Sequence, residues 1–143
     1  MLRLPAKRLL PQLDVDTELN RHNASIAQYF IIAGLIKGDT VLRNKIINSI
    51  NPVSFFIDSF EQYLFVKISE ILKESVDYKI STQWITSQIK GYFKEIWNSY
   101  PTRHELHSKL FSCAQILDFS PSAEQVLRSI ELCKYVATMT GLS

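Results

Sequence analysis

The sequence predicts an all-α fold, a helical bundle followed by a C-terminal helical hairpin, with about six to seven helices. Three observations predict it. The 143 residues include only four glycines and five prolines, most of them at segment ends, which leaves long unbroken runs suited to helices and not to a many-stranded sheet. Apolar residues recur at helical spacing inside those runs. With 46% hydrophobic residues the chain can bury one substantial core, and it is too short for two large ones.

The elements follow in order. Residues 1–15 mix Pro5 and Pro11 with Arg3, Lys7 and Arg8 and read as a linker or arm; a bundle over 16–100 and a hairpin over 101–143 follow. The apolar residues of the arm are too few and too interrupted for a secretory signal. Asp16 or Thr17 can cap a first turn, and Asn23 can cap a helix Ala24–Lys37, with Ile26, Phe30, Ala33 and Ile36 on one stripe. Gly38 stands where a left-handed residue closes a helix.

Asp39 caps a helix Thr40–Ile50, in which Val41, Leu42, Ile46, Ile47 and Ile50 fall at helical spacing until Asn51-Pro52 ends it. Val53–Phe56 has room for a single turn, with Phe55 and Phe56 as plugs. Asp58 or Ser59 then caps a helix Phe60–Glu74 whose inner face is Tyr63, Leu64, Ile68, Ile71 and Leu72, with Lys67, Glu70 and Lys73 outside.

After a loop at 76–80, Ser81 or Thr82 opens a helix to about Asn98 that turns Trp84, Ile85, Ile89, Phe93, Ile96 and Trp97 to the core. Gly91 inside it costs about 1 kcal/mol relative to alanine. Beyond Pro101, Thr102-Arg103-His104-Glu105 forms a capping box that opens a helix to about Leu117. Ser120 with Pro121, or Ser122, starts the last helix, which runs to about Thr140.

Composition excludes several functions. Sixteen Lys+Arg against fourteen Asp+Glu give a formal charge of +2, far from a dense basic stripe, so nucleic acid is expected to be at most an indirect partner. The two cysteines, Cys113 and Cys133, are too few for a disulfide framework and read as buried free thiols of a reducing, cytoplasmic protein. The longest apolar stretch, Ile26–Ile36, is about half a membrane span, so no membrane partner is expected.

Catalytic patterns are weak. His104 and His107 are three apart, whereas a helical zinc site needs histidines four apart and further ligands, so a capping and surface role is the better reading and no metal site is expected. His22 lies near Asp14 and Asp16 in sequence, but no serine sits in a strand-turn-helix elbow. The glycines are scattered and form no phosphate loop. Most of the sixteen aromatics fall on apolar stripes, where core packing explains them better than base stacking. No catalytic residue and no cofactor is assigned.

The last helix carries a surplus of apolar surface. Val126, Ile130, Cys133 and Ala137 form one stripe and Leu132, Val136 and Met139 another, with Leu127 and Tyr135 between them. That arc exceeds what one neighbouring helix covers, so the surplus either packs on the bundle or receives another protein.

With these elements placed, the chain resembles the C-terminal helicase-binding domain of bacterial DnaG-type primases and the related N-terminal domain of DnaB-type replicative helicases. The segments that carry the resemblance are the apolar helix Ile26–Ile36, the short helix Thr40–Ile50, the element Pro52-Val53-Ser54-Phe55-Phe56, and the aromatic helix Phe60–Leu72. His22-Asn23 followed by Gln28 resembles the helicase family's opening phrase, with Ser25 and Ala27 where acidic residues are usual. The similarity spans roughly Ala24–Ser143.

The resemblance implies a non-catalytic interaction domain of a primase that binds the replicative helicase and couples primer synthesis to unwinding. The full-length protein would then be a DNA-directed RNA polymerase. Its partner is the helicase N-terminal domain, met by the hairpin through Leu127, Ile130, Tyr135 and Met139, with Arg128 and Lys134 steering. For a primase domain weak self-association is expected; the alternative it implies is the helicase's own N-terminal collar, which self-associates and receives primase.

Overall fold

In the computed structural model, which describes residues 17–56 and 58–139, the first helix, α1 (Thr17–Lys37), passes straight through the expected cap at Asn23. No proline or glycine interrupts residues 17–33, and an asparagine inside a helix costs only a fraction of 1 kcal/mol. The candidate cap Asp16 lies outside the described residues, as do Asp14 and the side chain of His22. Gly38 follows α1 without a left-handed backbone. Its place is set by closeness, because a Cβ there would stand 2.5 Å from the Gly34 carbonyl oxygen.

Local capping chemistry sets most other boundaries. The Leu42 N–H donates to the Asp39 carboxylate at 2.9 Å, opening α2 (Thr40–Ser49). Asn51 caps α3 (Pro52–Phe55), a single turn with proline at its start. α4 (Ser59–Glu74) begins after Asp58, whose side chain makes no cap bond and turns instead to α1. Ser81 caps α5 (Thr82–Trp97), which closes on Asn98 in the left-handed region at φ 49°. The expected capping box of Thr102 and Glu105 opens α6 (Arg103–Asp118). Ser122 and Gln125 exchange the same pair of bonds before α7 (Ala123–Met139). There is no strand among the described residues, so the molecule is all-α.

The long apolar helices assemble into one core. Ile31, Ile32 and Leu35 of α1, Ile46 of α2, Phe60, Leu64 and Ile68 of α4, Ile85 of α5 and Ile116 of α6 are all completely or almost completely buried. Phe55 and Phe56 plug the core from α3, with Phe56 against Phe65 at 5.1 Å between ring centres. Val41, at 72% exposure, points away from it.

α7 does not pair chiefly with α6 as a free-standing hairpin would. It lies along α1 and touches α3, while α6 packs on α1 and α5. The seam is tight because Gly34 carries no side chain: a Cβ there would sit 2.7 Å from a methyl of Val126 and 3.4 Å from Ile46. Phe119, in the α6–α7 turn, stacks on Phe30 at 4.6 Å. The bundle and the last two helices therefore share one hydrophobic cluster.

Two cations pin the end of α1. Arg43 is buried and donates four hydrogen bonds, to the carbonyls of Leu35, Ile36, Val76 and Tyr78 at 2.6–2.9 Å. It fixes the α4–α5 turn against the negative end of α1. The Lys37 ammonium donates to the carbonyls of Leu117 and Phe119 at 2.5 and 2.6 Å, closing α6 in the same way.

Candidate docking surface

The buried face of α7 comprises Val126, Ile130, Leu132, Cys133, Val136 and Ala137, so the first apolar stripe of the sequence and, from the second, Leu132 and Val136 are covered by the protein's own helices. A helix laid between α1 and α3 has two neighbours to cover its arc, not one. Ile130 is 2% exposed and belongs to the core, which removes it from any docking surface. Leu127 and Tyr135 are half-buried and pack against the cluster edge. Met139 is 48% exposed, Lys134 is exposed, and Arg128 is half-buried and paired with Glu124 one turn earlier. The outer face of α7 that remains for a partner is thus narrow: Tyr135, Lys134 and Met139, flanked by the Arg128–Glu124 pair.

A larger exposed apolar patch lies at the α5–α6 corner. Ile96 is 53% exposed, Trp97 60% and Tyr100 91%, which corrects the expectation that Ile96 and Trp97 face the core. The last turn of α5 lines clefts with the first turns of α4 and α6 and is left half-exposed by them, so helical spacing continues after the core has ended. The same corner holds a cleft of about 500 Å³ lined by Tyr92, Phe93, Trp97, His104 and Lys109 among others. The Trp97 indole N–H donates to the Tyr92 hydroxyl at 3.0 Å, and Tyr92 is hydrogen-bonded in turn to the Ser59 hydroxyl.

Between the two regions lies a polar node that sequence periodicity could have located, since Glu61 shares a stripe with Leu64, Phe65, Ile68 and Leu72. Glu61 is 3% exposed. Burial, reinforced by the nearby Asp58, pushes its carboxyl up to about 7, opposed by a backbone hydrogen bond and by Lys109. Gln28 is fully buried and donates to the Asp58 carboxylate at 3.2 Å. Tyr29 and Ser112 share a hydrogen bond at 3.2 Å, and burial raises the Tyr29 phenol. Cys113 on α6 and Cys133 on α7 are free and buried, and burial pushes both thiols up to about 12, which makes them poor nucleophiles.

His104 and His107 are exposed on α6, with Glu105 committed to the capping box. No cluster of three or more His, Cys, Asp or Glu residues suited to a metal ion occurs among the described residues. Nor is any described helix long and apolar enough to cross a membrane. Compared with protein-family models, curated proteins and solved structures, the chain finds no match.

Proposed function

We propose that this chain is a non-catalytic docking domain of a bacterial DNA primase, which binds the N-terminal domain of the replicative helicase and couples primer synthesis to unwinding. The observation that carries the reading is the joint packing of the segments on which the resemblance rests. α1, α2, the Phe55-Phe56 plug and α4 bury against one another as a single core. α7 is held on that core with Lys134 and Met139 exposed and Tyr135 half-buried at its edge. In this reading the core is scaffold, the outer face of α7 meets the helicase, and polymerisation belongs to other parts of a longer protein. The domain is cytoplasmic, with no cofactor and no catalytic step of its own.

Binding of the purified chain to a cognate helicase N-terminal domain, followed by calorimetry, tests this. Tyr135→Ala combined with Met139→Asp should weaken binding by about tenfold or more while the helical circular dichroism stays unchanged, since truncating central anchors costs about 2 kcal/mol. Undiminished binding by the folded double variant would remove α7 as the contact. Light scattering on the chain alone addresses the helicase-collar reading, for which a stable dimer or trimer is the expected result and against which a monomer counts.

A further inference from the structure

The exposed corner between α5 and α6 has a composition that the whole-chain charge conceals. Residues 90–109 contain four cations, Lys90, Lys94, Arg103 and Lys109, against two acids, Glu95 and Glu105. That local excess equals the formal +2 of the entire chain, so everything outside the corner balances at twelve against twelve.

Both acids are already committed. Glu95 pairs with Lys67 at 3.3 Å and accepts from the Tyr63 hydroxyl at 3.1 Å. Glu105 accepts from the Thr102 N–H at 2.9 Å in the capping box. Lys90, Lys94 and Arg103 are exposed and form no ion pair with a described residue.

Aromatic faces stand among these charges. Lys90, Lys94 and Trp97 are spaced four and three apart, so they line one outer stripe of α5. Trp97 is 60% exposed yet held in orientation by its N–H bond to Tyr92, so its ring is a fixed platform at the mouth of the cleft. Tyr100, 91% exposed, adds a second ring just beyond the helix end. His104 and Lys109 also line the cleft, with the Lys109 ammonium 5.5 Å from the centre of the Phe60 ring.

A ligand that suits fixed rings beside uncompensated cations must carry open π faces and regularly spaced anions together. Duplex nucleic acid hides its base faces, and an acidic peptide offers aromatic faces only here and there. A single strand presents both in every unit. We propose that the α5–α6 corner is a binding site for single-stranded nucleic acid, with a base stacked on Trp97 over the cleft and phosphates running along Lys94 and Lys90. This departs from the expectation of at most an indirect nucleic-acid partner, and it rests on no part of the docking reading of α7.

The test is fluorescence anisotropy of a labelled oligothymidylate of about fifteen nucleotides, a length that covers one compact site. The whole chain should bind it with affinity that falls steeply between about 50 and 200 mM salt. Trp97→Ala should weaken binding about tenfold through lost stacking. Lys94→Glu, at an exposed position, should weaken it by a similar factor and flatten the salt dependence by roughly one phosphate contact. Circular dichroism of each variant should match the parent. Absence of binding at low salt, binding indifferent to salt, or full affinity in folded Trp97→Ala would overturn the proposal. So would preference for an acidic, Phe-containing peptide over the oligonucleotide.

Discussion

The α1–α7 seam and the α5–α6 corner are both rich in apolar residues, yet one is sealed and the other open. At the seam a glycine, Gly34, faces a β-branched residue, Val126, so the helices approach closely, and the Cys133 thiol lies 3.6 Å from the Ala24 carbonyl oxygen across it. At the corner Ile96, Trp97 and Tyr100, at or just past the end of α5, are left half-exposed or more, and Lys109 lines the same cleft as Trp97. Small side chains at a crossing bring helices together; large ones past the end of a crossing are left for a ligand. Apolar content alone does not separate scaffold from contact surface.

The largest expected effect comes from breaking the seam. Ile130→Asp would bury an unpaired charge at a site 2% exposed and should abolish the cooperative thermal transition, a cost above about 4 kcal/mol. An unchanged melting curve would mean that α7 is not sealed on α1.

Next is the node between the two regions. The folded state holds the Glu61 carboxyl at about 7 against an ordinary 4.5, so the fold prefers its neutral form. Stability from this group is therefore full below about 4.5 and is lost as pH rises towards 7, by at most about 3 kcal/mol. Glu61→Gln should raise denaturant stability at about pH 8 and change it little near pH 4.5. Equal effects at both values would show that charge burial is not what limits the node.

A smaller effect is expected at Gly34→Ala, where the new methyl meets Val126 and overpacking of about 1–3 kcal/mol is partly offset by better helix propensity. Adding Val126→Ala should recover part of the loss, and a double-mutant cycle would give the coupling directly. Strict additivity would break the close-approach account. At the open corner, Tyr100→Ser, at 91% exposure, should shift stability by less than about 0.5 kcal/mol in the same denaturant titration.

Features governed by neighbours in sequence were legible from sequence. The Asp39 and Ser81 caps and the Thr102–Glu105 box use partners three residues away, so local chemistry decides them. Facing was harder. Ile96 and Trp97 continue the spacing of Ile89 and Phe93, and only the packing of the other helices shows that the stripe outlasts the core. On α7 the surplus arc exceeds what one neighbour covers, but the neighbours that cover it, α1 and α3, both lie far away in sequence, and the hairpin partner α6 is not among its main contacts. Of the partner-facing residues expected there, Lys134 and Met139 are exposed and Tyr135 half-buried, while Ile130 is core.

The Arg43 bonds carry a consequence for how such a chain can diverge. One guanidinium satisfies four carbonyls from two separate stretches of backbone, Leu35 and Ile36 on one side and Val76 and Tyr78 on the other. Lysine, a single point charge without the planar fork, cannot replace it geometrically. The arginine and the length of the 75–81 turn should accordingly be inherited as a unit. A descendant that lengthens the turn frees position 43 to drift, whereas one that loses the arginine must find new donors for a turn of the same length.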